Sequence, residues 1–186
     1  MITLEATKGG TIQNQGISFL GTRNSATGTS HQERVQTSQT ILYSADDDAV
    51  NTLYAGGLNR FFIQRSYFVF DTSGVTANNI TTGKFVYQSI ENNTGVISAI
   101  RMVKSTAYGG DGNSNLAASQ FGLIDFNTTY SDAFSPTLSE VQAGLPQSVP
   151  LNSTAMSDII NNDVFICCFV TDGFLGDYTG VFADDN

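Results

Sequence analysis

Histidine, cysteine and clustered carboxylates carry most side-chain chemistry, and this chain supplies them unevenly. Its one histidine, His31, lies in the polar stretch GTRNSATGTSHQERVQTSQTI, Gly21 to Ile41. A nucleophilic triad needs a base, usually histidine, beside its nucleophile. Neither a G-x-S-x-G elbow nor a glycine-rich phosphate loop with its lysine occurs. His31 therefore reads as a solvated side chain. The two cysteines, Cys167 and Cys168, are adjacent. Neighbouring strand residues point to opposite faces, so the pair suits neither a mutual disulfide nor a shared metal ion. Both read as small buried apolar residues.

Carboxylates are the more abundant resource. The run Asp46-Asp47-Asp48 offers loop oxygens of the kind that ligate Ca²⁺, and these residues are the calcium candidates. No other cofactor is expected. DGNSNLAASQFG begins like an EF-hand loop, with Asp111, Asn113 and Asn115 at the first, third and fifth positions. Leu116 then replaces the required glycine and Gly122 the closing glutamate, so the EF-hand is rejected. Glycoside hydrolysis needs two acids about 5–10 Å apart across a cleft. Asp71, Asp111, Asp125 and Asp172 are available, but their spacing selects no pair. Sugar binding by a β-sandwich stacks exposed aromatic rings on the ligand, with amide and acid groups nearby. Tyr108, Asp111, Asn113 and Tyr130 are the candidates for such glycan contacts. The competing reading makes those rings partly buried loop aromatics.

The charge pattern narrows the partners. The formal net charge is −9, and the eight lysines and arginines are scattered from Lys8 to Lys104 with none beyond. Nucleic-acid binding needs clustered Lys and Arg, so no nucleic-acid partner is expected. The N-terminus MITLEATKGGTIQNQG lacks the basic start and apolar run of a signal peptide. No apolar stretch approaches the ~18 residues of a membrane span. The expectation is cytoplasmic synthesis without a leader.

These residues must be positioned by short strands. With 18 glycines, frequent Thr, Ser and Asn, and only 13% charged residues, the chain has the profile of many strands joined by polar turns. The densest apolar run, NRFFIQRSYFVFDTSGV from Asn59 to Val75, is rich in aromatic and β-branched residues. Phe61, Ile63, Arg65, Tyr67 and Val69 fall on one face of a strand, and Phe62, Gln64, Ser66, Phe68 and Phe70 on the other. It reads as an inner strand buried on both sides, ending in a turn at Asp71-Thr72-Ser73-Gly74. Further strands are expected over TTGKFVYQSIENN, GVISAIRMVKSTA and the uniformly apolar VFICCFVTD, with a brief extended piece at QSVPLN. LNSTAMSDIINN predicts one short helix, capped by Asn152 or Ser153, with Met156, Ile159 and Ile160 as its apolar stripe. Asp46-Asp47-Asp48 reads as a turn or a helix start. The Gly21–Ile41 stretch reads as a mobile loop or extended arm. The fold class expected is all-β: a jelly-roll-like antiparallel β-sandwich with one short helix. Residues 1–45 would supply N-terminal strands and a polar arm for assembly or attachment, and 46–186 the sandwich, in one continuous domain.

The run RSYFVFDTSGVTANNITTGKFVYQSI resembles a known pattern. It is similar to the jelly-roll modules, related to disaggregatase repeats, of phage virion proteins and bacterial surface proteins. Arg65, Phe70, Asp71, Thr72, Ser73, Ile80 and the Phe85–Ile90 strand carry the likeness. FGLIDFNTTYSDAFSP resembles the aromatic connection of those modules, and VPLNSTAMSDIINNDVFICCFVTD their short helix and buried strand. The likeness spans roughly Arg60 to Asp185. It implies a non-enzymatic virion component: a capsid decoration, head-fibre or tail-associated protein whose partners are copies of itself or other virion proteins. Arg65, Phe70 and Asp71 would then serve structure. A carbohydrate-binding module that attaches a particle to surface glycans is the alternative, and a polysaccharide-degrading enzyme the third reading. Such modules often close with a Pro-Tyr-Leu-x-Val-x-Tyr strand, whereas this sequence reads GVFADDN at that point. The expectation is that its C-terminal end packs against a neighbouring subunit.

Overall fold

The structure, a computed structural model, describes residues 2–16, 19–35, 46–47, 61–77, 80–87, 100–134 and 146–171. Its centre is the aromatic run singled out above. Strand β4 (Phe61–Asp71) lies between β1 (Ala6–Gly16) and β9 (Val164–Thr171), antiparallel to both. β1 adds β2 (Ser30–Val35) on its outer edge. β9 adds β6 (Ile100–Ser105), which in turn pairs with β7 (Ile124–Thr129). The large sheet thus runs β2-β1-β4-β9-β6-β7. A two-residue strand, β3 (Asp46–Asp47), pairs with β4 at Ile63 and Phe62. A small second sheet joins β5 (Lys84–Tyr87) to β8 (Gln147–Pro150). Among the described residues, helix α1 (Phe19–Arg23) is a single turn and α2 (Ser153–Asn161) is the longer. Among the described residues the fold is therefore the expected all-β antiparallel sandwich with a short helix, α2, and no closed barrel.

The period-2 pattern of β4 decides the core. Phe68 points to one face and packs with Phe85, Tyr87, Val149, Met102, Cys167 and Phe169 beneath the small sheet. Phe68, Phe85 and Phe169 meet edge-on at centroid distances of 5.0 to 5.6 Å, a geometry favoured by ring quadrupoles. Ala155 and Ile159 of α2 close the same layer. Ile63, Tyr67 and Val69 point the opposite way and meet Ile12, Val103, Ile166 and Cys168. Here the cover is the connection after β6, through Ala107, Tyr108, Leu116 and Phe121. Cys167 and Cys168 are fully buried free thiols in opposite layers, as their adjacency in a strand requires.

The structure refines the sequence expectations. The polar stretch Gly21–Ile41, expected as a mobile loop or extended arm, supplies the end of α1 and the edge strand β2 where it is described. Ten-residue pairing of β1 with β4 also makes the N-terminal segment part of the sandwich sheet. Asp46 and Asp47 lie in a strand ladder, not in a turn or helix start, while Asp48 falls outside the described residues. The polar piece IDFNTT forms β7, a strand that its weak apolar alternation conceals. Residues 88–99 and 172–186, with Asp172 and the expected closing segment, are outside the described residues.

Candidate functional site

Among the described residues Arg65 is the most buried charged side chain, 2% exposed. Its guanidinium donates to the Phe121 carbonyl at 2.6 Å and the Arg23 carbonyl at 2.5 Å. It also lies over the Phe121 ring, 3.8 Å from the centroid. Tyr67, two residues on and on the same face, donates its hydroxyl to the same Phe121 carbonyl at 2.8 Å. Burial lowers the Arg65 pKa and raises that of Tyr67 well above the phenol range. The arrangement ties α1 and the Ala117–Phe121 turn to the sheet. Every described polar contact of Arg65 is thus spent inside the fold.

The turn after β4 is built just as locally. Asp71 Oδ1 accepts from the Ser73 backbone N–H at 3.0 Å and its hydroxyl at 2.7 Å, which lowers the Asp71 pKa. Thr72 donates through Oγ1 to the Asn162 carbonyl at 2.6 Å and through its N–H to the Asp163 carbonyl at 2.8 Å. The turn that ends β4 therefore fixes the link between α2 and β9.

That link borders a cleft of about 450 Å³, where β6 ends, α2 ends and β9 begins. Helix α2 starts where Asn152 accepts the Ala155 N–H at 3.0 Å, while its own Nδ2 holds the Thr129 carbonyl at 2.8 Å. This cap fixes the helix against the end of β7 and directs Asp158 toward β6. Asp158 Oδ2 there accepts from Lys104 Nζ at 2.8 Å and from the Tyr130 hydroxyl at 2.5 Å. Partial burial opposes ionisation of Asp158, but the two donors outweigh it and its pKa falls. The Tyr130 pKa rises, through burial first and the Asp158 carboxylate second. Asn161, Asn162 and Asp163 form the rim on the helix side, Thr106, Gly110 and Asp111 the opposite rim.

The glycan candidates fare differently. Tyr108 and Tyr130 are 0% and 1% exposed and sit in opposite layers of the core, so neither ring offers a face to a sugar. This corrects the stacking role assigned to them. Tyr108 is held in the left-handed region, φ 56°, and followed by Gly109, Gly110 and Gly112 at φ 77° to 79°, so the chain turns sharply and drives the ring inward. Lys8 Nζ lies 5.8 Å from its centroid. Asp111 and Asn113 are exposed but bind each other: both Asp111 oxygens accept from Asn113, at 2.9 Å each. Asp111 and Tyr130 do line the cleft, whereas Tyr108 and Asn113 do not. No group of three His, Cys, Asp or Glu side chains able to hold a metal ion occurs among the described residues. Lys104, Asp158, Asn161 and Asn162 escaped the sequence reading. Asp158 stands beside the apolar stripe of α2, and its residue type and position name no partner.

Among the described residues, fold and site together define an antiparallel β-sandwich with a buried arginine tie and a polar cleft. No family model, curated protein or solved structure matches the chain.

Proposed function

We propose that this chain is a non-enzymatic structural component of a phage virion, a decoration, head-fibre or tail-associated protein acting through contacts with its own copies or other virion proteins. One observation carries the reading: the residues that bear the resemblance spend their functional groups on the framework. Arg65 binds two carbonyls, Asp71 binds Ser73, and Thr72 binds the α2–β9 link. Phe85 belongs to the core beneath the small sheet, and Phe70 and Ile80, partly buried, pack against it. A motif consumed in building the sandwich leaves function to the surface, which is how an assembly protein works. Fold alone does not assign this role; the sequence likeness supplies the virion context.

The test is co-fractionation. The tagged full chain, expressed during phage infection, should band with particles in a density gradient and appear on them by electron microscopy with labelled antibody. A free monomer at micromolar concentration, absent from every particle fraction, would overturn the proposal.

A further inference from the structure

The cleft between β6, α2 and β9 has its own chemistry. At about 450 Å³ it lies in the size range of small-molecule sites, about 300–1,000 Å³. Two of its three carboxylates have partners, and the third, Asp163, is exposed on the rim. Asp158 pairs with Lys104, and each Asp111 oxygen accepts one bond from Asn113 and keeps a further lone pair. Lys104, two-fifths exposed, commits one ammonium hydrogen to Asp158 and has others to donate. Asn161 and Asn162 spend their Nδ2 groups on Ser157 and on the Asp158 carbonyl. Each therefore keeps its side-chain carbonyl as an acceptor. The Thr72 bonds to the Asn162 and Asp163 carbonyls hold this rim in place before any ligand arrives.

From this set of fixed donors and acceptors we infer that the cleft binds an uncharged, hydroxyl-rich ligand, a saccharide, by hydrogen bonding without ring stacking. A hydroxyl both donates and accepts, so it fits an ammonium beside amide and carboxylate oxygens. An inorganic anion would face Asp111, Asp158 and Asp163 against the single Lys104. An inner-sphere cation would need three converging ligands, and no such group exists among the described residues. Tyr130 and Phe165, 1% and 4% exposed, support the cleft from below and present no stacking face.

The experiment titrates the ¹⁵N-labelled full chain with glucose, galactose and N-acetylglucosamine, and in separate arms with inorganic phosphate, calcium chloride and lysinamide. At least one sugar should give saturable, millimolar-range shifts confined to amides of residues 104–106, 110–111 and 161–166. Asn161→Ala removes an exposed acceptor without touching the core, and should weaken binding about fivefold, the loss of one neutral hydrogen bond. Lys104→Met should weaken it further. Absence of saturable shifts with every sugar would overturn the inference. So would shifts from lysinamide, phosphate or calcium alone, or unchanged sugar binding in both variants.

Discussion

Replacing Arg65 tests whether a buried cation ties the loops to the sheet. The side chain makes two bonds to carbonyls, at 2.6 and 2.5 Å, and one ring contact. Hydrogen bonds from a charged donor contribute about 1.5–3 kcal/mol each. Against that stands the cost of keeping a guanidinium out of water, several kcal/mol. In Arg65→Ala the Phe121 carbonyl keeps the Tyr67 hydroxyl at 2.8 Å, whereas the Arg23 carbonyl loses this donor. Losing these bonds and the packed stem should destabilise by about 3–4 kcal/mol, within the range for breaking buried charged contacts. For a chain of this length that lowers the melting temperature by roughly 6–16 °C. Arg65→Met keeps an unbranched stem against Phe121 and removes the desolvation cost, so it should lose only about 1–2 kcal/mol. Arg65→Lys keeps the charge but cannot span both carbonyls with a planar fork, so it should rank with alanine. Urea unfolding followed by tyrosine fluorescence gives the three midpoints. An unchanged midpoint in Arg65→Ala would refute the tie. Equal losses in the methionine and alanine variants would refute the division between stem packing and charge.

Two further outcomes follow from the same geometry. The folded-state pKa of Asp158 lies below its unfolded value of about 3.9, so its contribution is complete above that pH and fades as pH falls through the lower folded value. Acid melts should show this loss below about pH 4, and Asp158→Asn should flatten the profile there; an identical acid slope in the variant would contradict the assignment. Tyr108 buries a hydroxyl with no hydrogen-bond partner among the described residues. Tyr108→Phe should therefore raise stability by up to about 1 kcal/mol, and calorimetry showing a clear loss would mean that the hydroxyl is bonded in solution.

The parts of the fold legible in the sequence are those where one local signal dominates. β4 and β9 are long, aromatic or β-branched runs, and α2 carries an Asn cap and an i, i+3 stripe at Met156 and Ile159. β2 and β3 were not legible, because SHQERV and DD have no marked alternation, nor was β7, whose alternation spans only Ile124 to Asn127. Those strands exist through pairing: β1 recruits β2, β4 recruits β3, and β6 recruits β7. Ladder bonds to a partner strand override weak local preference.

The sequence by itself determined the antiparallel β class, the two-sided burial of the central strand, the opposite fates of Cys167 and Cys168, and the turn at Asp71. Each follows from a period of two or from a side chain that bonds its near neighbours. Only the tertiary structure decided that Tyr108 and Tyr130 are core residues and that Lys104, Tyr130 and Asp158 share one network. Lys104 and Asp158 lie 54 positions apart. Their meeting depends on how the strand pairing and the Asn152 cap bring α2 back onto β6, a geometry that residue type and spacing do not encode.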